Sequence, residues 1–485
     1  MTSIQKQTIK GFKWSAIERI TLQLIQFVIT IVIARILTPE DYGLIGMLGV
    51  FLAISQSLID SGFSNALIRK TTCTAVDNST AFYFNIAVGI ILFFVLFFTA
   101  PFIAAFYNAP ILENITKVVA FKLIIDAFGI VQKTILTIKI DFKTQTKASF
   151  IAALFSSAIG VYLAVHGFGV WALVYQTLLN SFVNVLLLWV FTTWRPAFIF
   201  SVASFKDLFS FGGKLMISGV LHQIYLQFTT VLIGKKFDAF SLGNYTRANQ
   251  FASLPSLSIT DVLHRVTFPI LSQIKDDNDR LAVVYRRYIK ISSLVVFYIM
   301  LLLVALSKPL VLELLTDKWE SSIILIQVIA FATMFSHISS INLNLLQVKG
   351  RTDLYLRLEI IKKTLAVLMM LFAVQWGVLA VCLALVLYTQ IALVLNIYYT
   401  GKLLNIGYWL QFKDYMPYFF LSALVSIPAF MLTFSHLSYM LVMILGFVSS
   451  FLGYTVILYL VKDKEFLFLL KLIKNQLSKN KTHEV

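Results

Sequence analysis

Apolar residues run through this chain in long unbroken stretches separated by short polar turns. Fourteen such stretches lie near 12–37, 42–66, 79–106, 113–138, 145–165, 168–193, 211–234, 240–263, 285–306, 320–348, 353–375, 377–400, 417–434 and 437–461. At a rise of ~1.5 Å per residue, a helix of that length crosses a bilayer. The stretches are continuous and do not alternate with period two, which favours helices over a barrel. The pattern predicts an all-α polytopic membrane protein with about fourteen transmembrane helices.

The polar residues inside these stretches are not scattered. In the first, Arg19, Gln23, Gln26 and Thr30 follow one another at steps of four, three and four, which stacks them on one helical face. Thr38-Pro39-Glu40-Asp41 then reads as the capped start of the second helix. That helix carries Gln56 and Asp60 four apart, so the hairpin turns a polar face inward. In the fourth stretch Lys122, Asp126, Gly129 and Lys133 share a face. Lys122 and Asp126 are placed to neutralise each other, leaving Lys133 spare.

A charge at membrane depth costs ~2.5–3.5 kcal/mol on insertion scales unless it faces protein or water, so these positions are the first functional candidates. The candidate cavity residues are Arg19, Gln23, Lys122, Asp126, Lys133, Gln223 and Arg247. Plainer readings stand beside them. Arg19, Lys133, Lys362 and Lys363 lie within two turns of a helix end, close enough to snorkel to headgroups. Asp60 and Asp261 sit near span ends and read as caps or topology residues. Gln176, Asn180 and Asn184, at steps of four, read as glue between helices. His222 and His337 read as hydrogen-bonded core residues.

Charge sharpens the topology. With the N-terminus in the cytoplasm, 28 of the lysines and arginines fall in cytoplasmic segments and 5 on the opposite side, with 7 inside spans. That asymmetry places both termini inside. Only 13% of residues are charged while 59% are hydrophobic, with mean hydropathy +0.85. A soluble domain cannot hide so much apolar surface. The formal charge of +17 is spread over short loops, so it reports topology and not nucleic-acid binding. The lysine-rich tail after Val461 reads as an amphipathic segment on anionic lipid. Cys73 and Cys382 supply neither a disulfide framework nor a metal site.

Sliding the chain by 200 residues pairs Gln23 with Gln223, Thr30 with Thr230, Gly43 with Gly243 and Phe51 with Phe251. The offset spans six helices, as a parallel repeat requires. The expected organisation is a six-helix bundle over 1–200, a second over 201–400, two additional transmembrane helices over 401–461 and a basic cytoplasmic tail over 462–485. Polar stripes on both bundles predict a hydrated, net-basic cavity between them, suited to an anionic substrate. No Walker A loop, metal-ligand cluster or serine nucleophile elbow is present, and no large outer loop exists to house an active site. A transporter without cofactor is expected, not an enzyme. Whether H+ or Na+ drives it stays open.

Ala34-Arg35-Ile36-Leu37-Thr38-Pro39-Glu40-Asp41-Tyr42-Gly43, then Asp60-Ser61-Gly62-Phe63 and Ala66-Leu67-Ile68-Arg69-Lys70, resemble bacterial polysaccharide and lipopolysaccharide flippases of the multidrug, oligosaccharidyl-lipid and polysaccharide exporter superfamily. Asn244-Tyr245-Thr246-Arg247-Ala248, Thr267-Phe268-Pro269-Ile270-Leu271-Ser272 and the stretch from Gln347 to Leu354 fit the same group. The resemblance implies two six-helix bundles in a V, working by alternating access at the bacterial cytoplasmic (inner) membrane. It implies an undecaprenyl-pyrophosphate-linked oligosaccharide as cargo, with membrane lipids, a polysaccharide polymerase and glycosyltransferases as partners. By the same analogy Arg19, Lys122, Lys133 and Arg247 are candidates to hold the pyrophosphate, and the last two spans to guide the lipid tail. The competing expectation is a cation-coupled multidrug antiporter of the same superfamily, which needs unpaired carboxylates deep in the cavity.

Overall fold

The computed structural model describes residues 28–60, 62–70 and 72–481, with side chains described at all of these except 257–258, 261–266, 472–473 and 475–481. Among the described residues the regular structure is helical, with no strand. In chain order the helices are α1 (28–36), α2 (Pro39–Asp60), α3 (Phe63–Arg69), α4 (Ala75–Tyr107), α5 (Ile111–Val119), α6 (Phe121–Ile138), α7 (Phe142–Val165), α8 (Val170–Phe191) and α9 (Val202–Lys236). They continue as α10 (Ala239–Gln273), α11 (Asn278–Leu314), α12 (Ser322–Thr333), α13 (Ser336–Val348), α14 (Thr352–Ala373), α15 (Val378–Leu404), α16 (Tyr408–Leu432), α17 (Tyr439–Leu460) and α18 (Lys464–Lys481).

The protein is a multi-pass membrane protein. Ten helical segments among the described residues are long and apolar enough to cross a membrane, against the fourteen expected. The difference has local causes. Most of the first stretch lies outside the described residues. The fourth breaks at Ala120 into α5 and α6, and α6 alone carries Lys122, Asp126 and Lys133. The eighth, α10, is rich in polar residues and holds two prolines. The eleventh, α14, has Asp353, Arg357, Glu359, Lys362 and Lys363 in its first twelve residues.

The chain divides into two compact units, Met1–Gly243 and Asn244–Val485. In the first unit α2 runs along α9, α4 along α6, and α7 along α8. The α7–α8 pair is held by a polar ladder. Gln176 Nε2 donates to Ser157 Oγ at 3.4 Å, Asn180 Nδ2 to Ser156 Oγ at 3.2 Å, and Ser149 Oγ to Asn184 Oδ1 at 3.4 Å. The stripe of amides every fourth residue is glue, as its spacing predicts. Outside the membrane spans, Lys70 donates to Asp77 at 2.8 Å and lies 3.3 Å from Asp207, and the bond to Asp77 raises its pKa above the ordinary lysine value.

Helix starts follow the capping pattern. Thr38 N donates to Asp41 Oδ2 at 3.0 Å while Asp41 N donates to Thr38 Oγ1 at 3.4 Å, the reciprocal box that the sequence predicts. At α10, Ser241 N donates to Asp238 Oδ1 at 2.8 Å. The first turns of α2 and α10 meet through bare backbone. A Cβ at Gly43 would lie 1.8 Å from the Ala239 carbonyl oxygen, and one at Gly243 would lie 1.8 Å from that of Pro39. Only glycine permits either approach. All three residue pairs involved, 38 and 238, 39 and 239, 43 and 243, carry the offset of 200 found in the sequence.

In the second unit α11 is the central element, packed by α12, α13, α16 and α17. The last two membrane helices are thus integral to this unit. A cluster of polar residues bonds together in its core. Tyr285 Oη sits 2.7 Å from Asn342 Oδ1 and 2.8 Å from Gln411 Oε1, and Thr400 donates to Asn342. Asn344 donates to Thr267 at 3.3 Å. Buried His337 pairs with Ser293 Oγ at 3.0 Å and the Met334 carbonyl at 2.8 Å, a core histidine as expected, whereas His222 of the first unit is exposed. Lys362 turns inward to Glu359 at 2.6 Å and does not snorkel.

Candidate functional site

Four helices of the first unit present polar faces to one opening. From α2 and α3 come Gln56, Ser57, Asp60, Ser64 and Asn65. From α6 come Lys133, Thr134 and Thr137, and from α9 Gly219 and Gln223. The cavity they line holds about 610 Å³, within the usual range for small-molecule sites. Each wall obeys helical spacing: Gln56 and Asp60 at a step of four on α2, Lys133 and Thr137 at four, Gly219 and Gln223 at four.

Two glycine contacts bring the walls together. Gly62 separates α2 from α3 with φ of 67°, a left-handed backbone that a side chain resists. A Cβ there would also lie 2.3 Å from the Gly212 carbonyl oxygen on α9. Further along, a Cβ at Gly219 would meet Ser57 Oγ at 2.8 Å. The crossing of α2 and α9 is therefore close enough to set Gln56 and Ser57 beside Gln223.

Lys133 and Asp60 are the charged members of the described lining. Lys133 is exposed at the cavity and makes no ion pair with any described residue. Its backbone carbonyl accepts from Thr137 Oγ1 at 2.9 Å and from Gln145 Nε2 at 3.3 Å, which fixes this turn of α6. Asp60 lines the cavity and accepts a hydrogen bond from Ser64 Oγ at 2.5 Å. A cation, a carboxylate, three amides and several hydroxyls around one opening can bind an anionic group together with a polyhydroxylated one.

The other predicted residues fall into separate settings. Lys122 and Asp126 pair with each other on α6, half-buried and outside the cavity lining, as the spacing of four predicts. Gln223 lines the cavity. Arg247 lies in the second unit, 8% exposed, donating to Gln250 Oε1 with its guanidinium 5.9 Å from the centre of the Trp319 ring. Arg19 and Gln23 lie outside the described residues. Sequence reasoning missed Ser57, Ser64 and Asn65 as lining residues. The four-residue step from Asp60 to Ser64 carries the signal, but it straddles the break at Gly62.

Residues 32–324 match the family described as polysaccharide biosynthesis protein. The teichuronic acid biosynthesis protein TuaB of Bacillus subtilis (strain 168) is 28% identical over 436 residues, covering 89% of this chain and 90% of its own length. The lipopolysaccharide biosynthesis protein WzxC of Escherichia coli (strain K12) is 24% identical over 368 residues, 74% of each chain. Among solved structures, the lipid II flippase MurJ in an inward closed conformation aligns with a TM-score of 0.73 at 12% identity, covering 92% of this chain and 99% of that one. That likeness carries the fold.

Proposed function

Since the chain belongs to the polysaccharide biosynthesis protein family, we propose that it moves an undecaprenyl-pyrophosphate-linked oligosaccharide across the bacterial cytoplasmic membrane by alternating access. The observation that carries this reading is Lys133, unpaired among the described residues and set in a cavity otherwise lined by amides, hydroxyls and one carboxylate. A lysine in a confined site attracts phosphate more strongly than it does in bulk water. Gln56, Asn65 and Gln223 offer both donors and acceptors to sugar hydroxyls, while Asp60 and the serine hydroxyls add acceptors. In this reading Lys133 takes the phosphate nearest the first sugar and the amides take the sugars. Both termini face the cytoplasm, as the loop charges indicate. The chain performs no covalent chemistry, and the enzymes that build and polymerise the glycan act before and after it.

A multidrug antiporter for cations fits less well. It needs an unpaired carboxylate, yet Asp126 is bonded to Lys122, and Asp60 shares its cavity with a lysine that repels cations. The test is mass spectrometry of undecaprenyl-linked sugars in cells depleted of the protein, with an assay of leaflet accessibility. A completed oligosaccharide held on the cytoplasmic side is the expected result. An unchanged pool in cells that run the pathway overturns the reading.

A further inference from the structure

A second opening, of about 410 Å³, lies wholly within the second unit, where α16 begins and α17 ends. Lys290 of α11 and Lys413 of α16 stand at it, together with Asp414 and Asp463. Both carboxylates have hydrogen-bond partners within the fold. Asp414, 2% exposed, accepts from Arg286 Nε at 2.6 Å and Nη2 at 2.9 Å. Asp463 accepts from Tyr418 Oη at 2.9 Å and from the backbone N–H groups of Glu465 and Phe466 at 3.1 and 2.8 Å. Lys290 reaches Asp414 at 3.2 Å as a second cation on a carboxylate that Arg286 has taken. Lys413 makes no ion pair with any described residue. With Arg286 counted, three cations stand at the mouth against two carboxylates, a surplus of one positive charge.

Beyond the mouth, the surface turns apolar. Leu421 and Leu458 line the cavity itself. Along the outer faces of α16 and α17, Phe420, Leu424, Val456 and Leu460 are more than half exposed. A surplus of cations at a helix end, continuous with an apolar strip along the same two helices, has the layout of a phospholipid: anionic head, then acyl chains.

We propose that this opening binds the phosphate of an anionic membrane phospholipid, with its acyl chains along α16 and α17. The ligand is a lipid of the surrounding bilayer and not the cargo. The site depends on the chain being a membrane protein and not on what it transports.

Native mass spectrometry of the full chain in detergent, offered phosphatidylglycerol and phosphatidylcholine in equal amounts, tests this. Phosphatidylglycerol is expected to be retained over phosphatidylcholine by about fivefold for each lysine engaged. The preference is expected to fall to parity in the Lys290→Gln, Lys413→Gln double variant. It should survive in Lys413→Arg and in Lys402→Gln, a change at an exposed lysine outside the opening. Equal retention of the two lipids by the wild type overturns the proposal, as does an undiminished preference in the double variant or a loss in Lys402→Gln. Displacement by millimolar inorganic phosphate marks a bare anion site, and displacement by equimolar undecaprenyl phosphate marks a cargo site. Either result overturns the assignment to a bilayer phospholipid.

Discussion

In the first unit, polar residues from four helices stand around an opening with their side chains available; in the core of the second, Tyr285, Asn342, Thr400 and Gln411 bond to one another. Lys133 faces a cavity without an ionic partner among the described residues, while Asp414 is gripped by Arg286 and Lys290. Gln223 lines a cavity, while Gln411 is fully buried against Tyr285. A polar residue in a membrane helix is expensive in both places, but the cost is met differently. In the second unit a fixed protein partner meets it, which specifies one packing of α11 against α13 and α16. In the first, an opening meets it, which leaves hydrogen-bonding capacity for a ligand. Polar residues in apolar helices thus mark function only where their partners are missing.

Substitutions can break this contrast from either side. Asp414→Asn leaves Arg286 and Lys290 without a counter-charge. Because those cations are about a third exposed, the loss is expected near ~2–3 kcal/mol, below the ~3–5 of a fully buried pair. It should appear as a lower melting temperature in detergent, with transport falling in proportion to folded protein. Lys133→Ala is expected to behave in the opposite way. Losing one charge-assisted bond to phosphate is worth ~1.5–3 kcal/mol, so transport should fall about tenfold or more at unchanged melting temperature, with Lys133→Arg recovering part of it. A fall in melting temperature that matches the loss of transport would make Lys133 structural and erase the contrast.

Smaller effects sharpen the boundary. Gly43→Ala places a Cβ into the Ala239 carbonyl, and the resulting backbone shift is expected to cost ~1–3 kcal/mol of stability, measurable by thermal unfolding in detergent. Asn180→Ala removes one rung of the α7–α8 ladder and is expected to cost ~0.6 kcal/mol with transport intact. A large transport defect in Asn180→Ala at normal stability would show that the ladder is more than glue.

What the sequence made legible was local. The capping box of Thr38 and Asp41, the Lys122–Asp126 pair, the spare Lys133 and the amide ladder each follow from spacings of three or four on one helix. The unread features depend on partners far away in the chain. Asp60 lines a cavity whose far wall, α9, is brought in by the close approach of Gly62 to Gly212. The surroundings of Arg247 include the Trp319 ring, 5.9 Å from its guanidinium and 72 residues later in the chain. His222 and His337 sit in similar apolar runs, and only the neighbouring helices decide that one is exposed and the other enclosed. On the charged helices α6 and α14, Lys122 pairs with Asp126 and Lys362 with Glu359, while Lys133 has no ion-pair partner among the described residues.

The central claim is that the cavity of the first unit holds the phosphate end of the cargo through Lys133. Binding of an undecaprenyl-pyrophosphate-linked sugar to the purified full chain, compared between wild type, Lys133→Ala and Lys122→Ala, tests it most directly. The account predicts about tenfold weaker binding in Lys133→Ala and near wild-type binding in Lys122→Ala, whose charge is already spent on Asp126. Equal affinity in wild type and Lys133→Ala would contradict it.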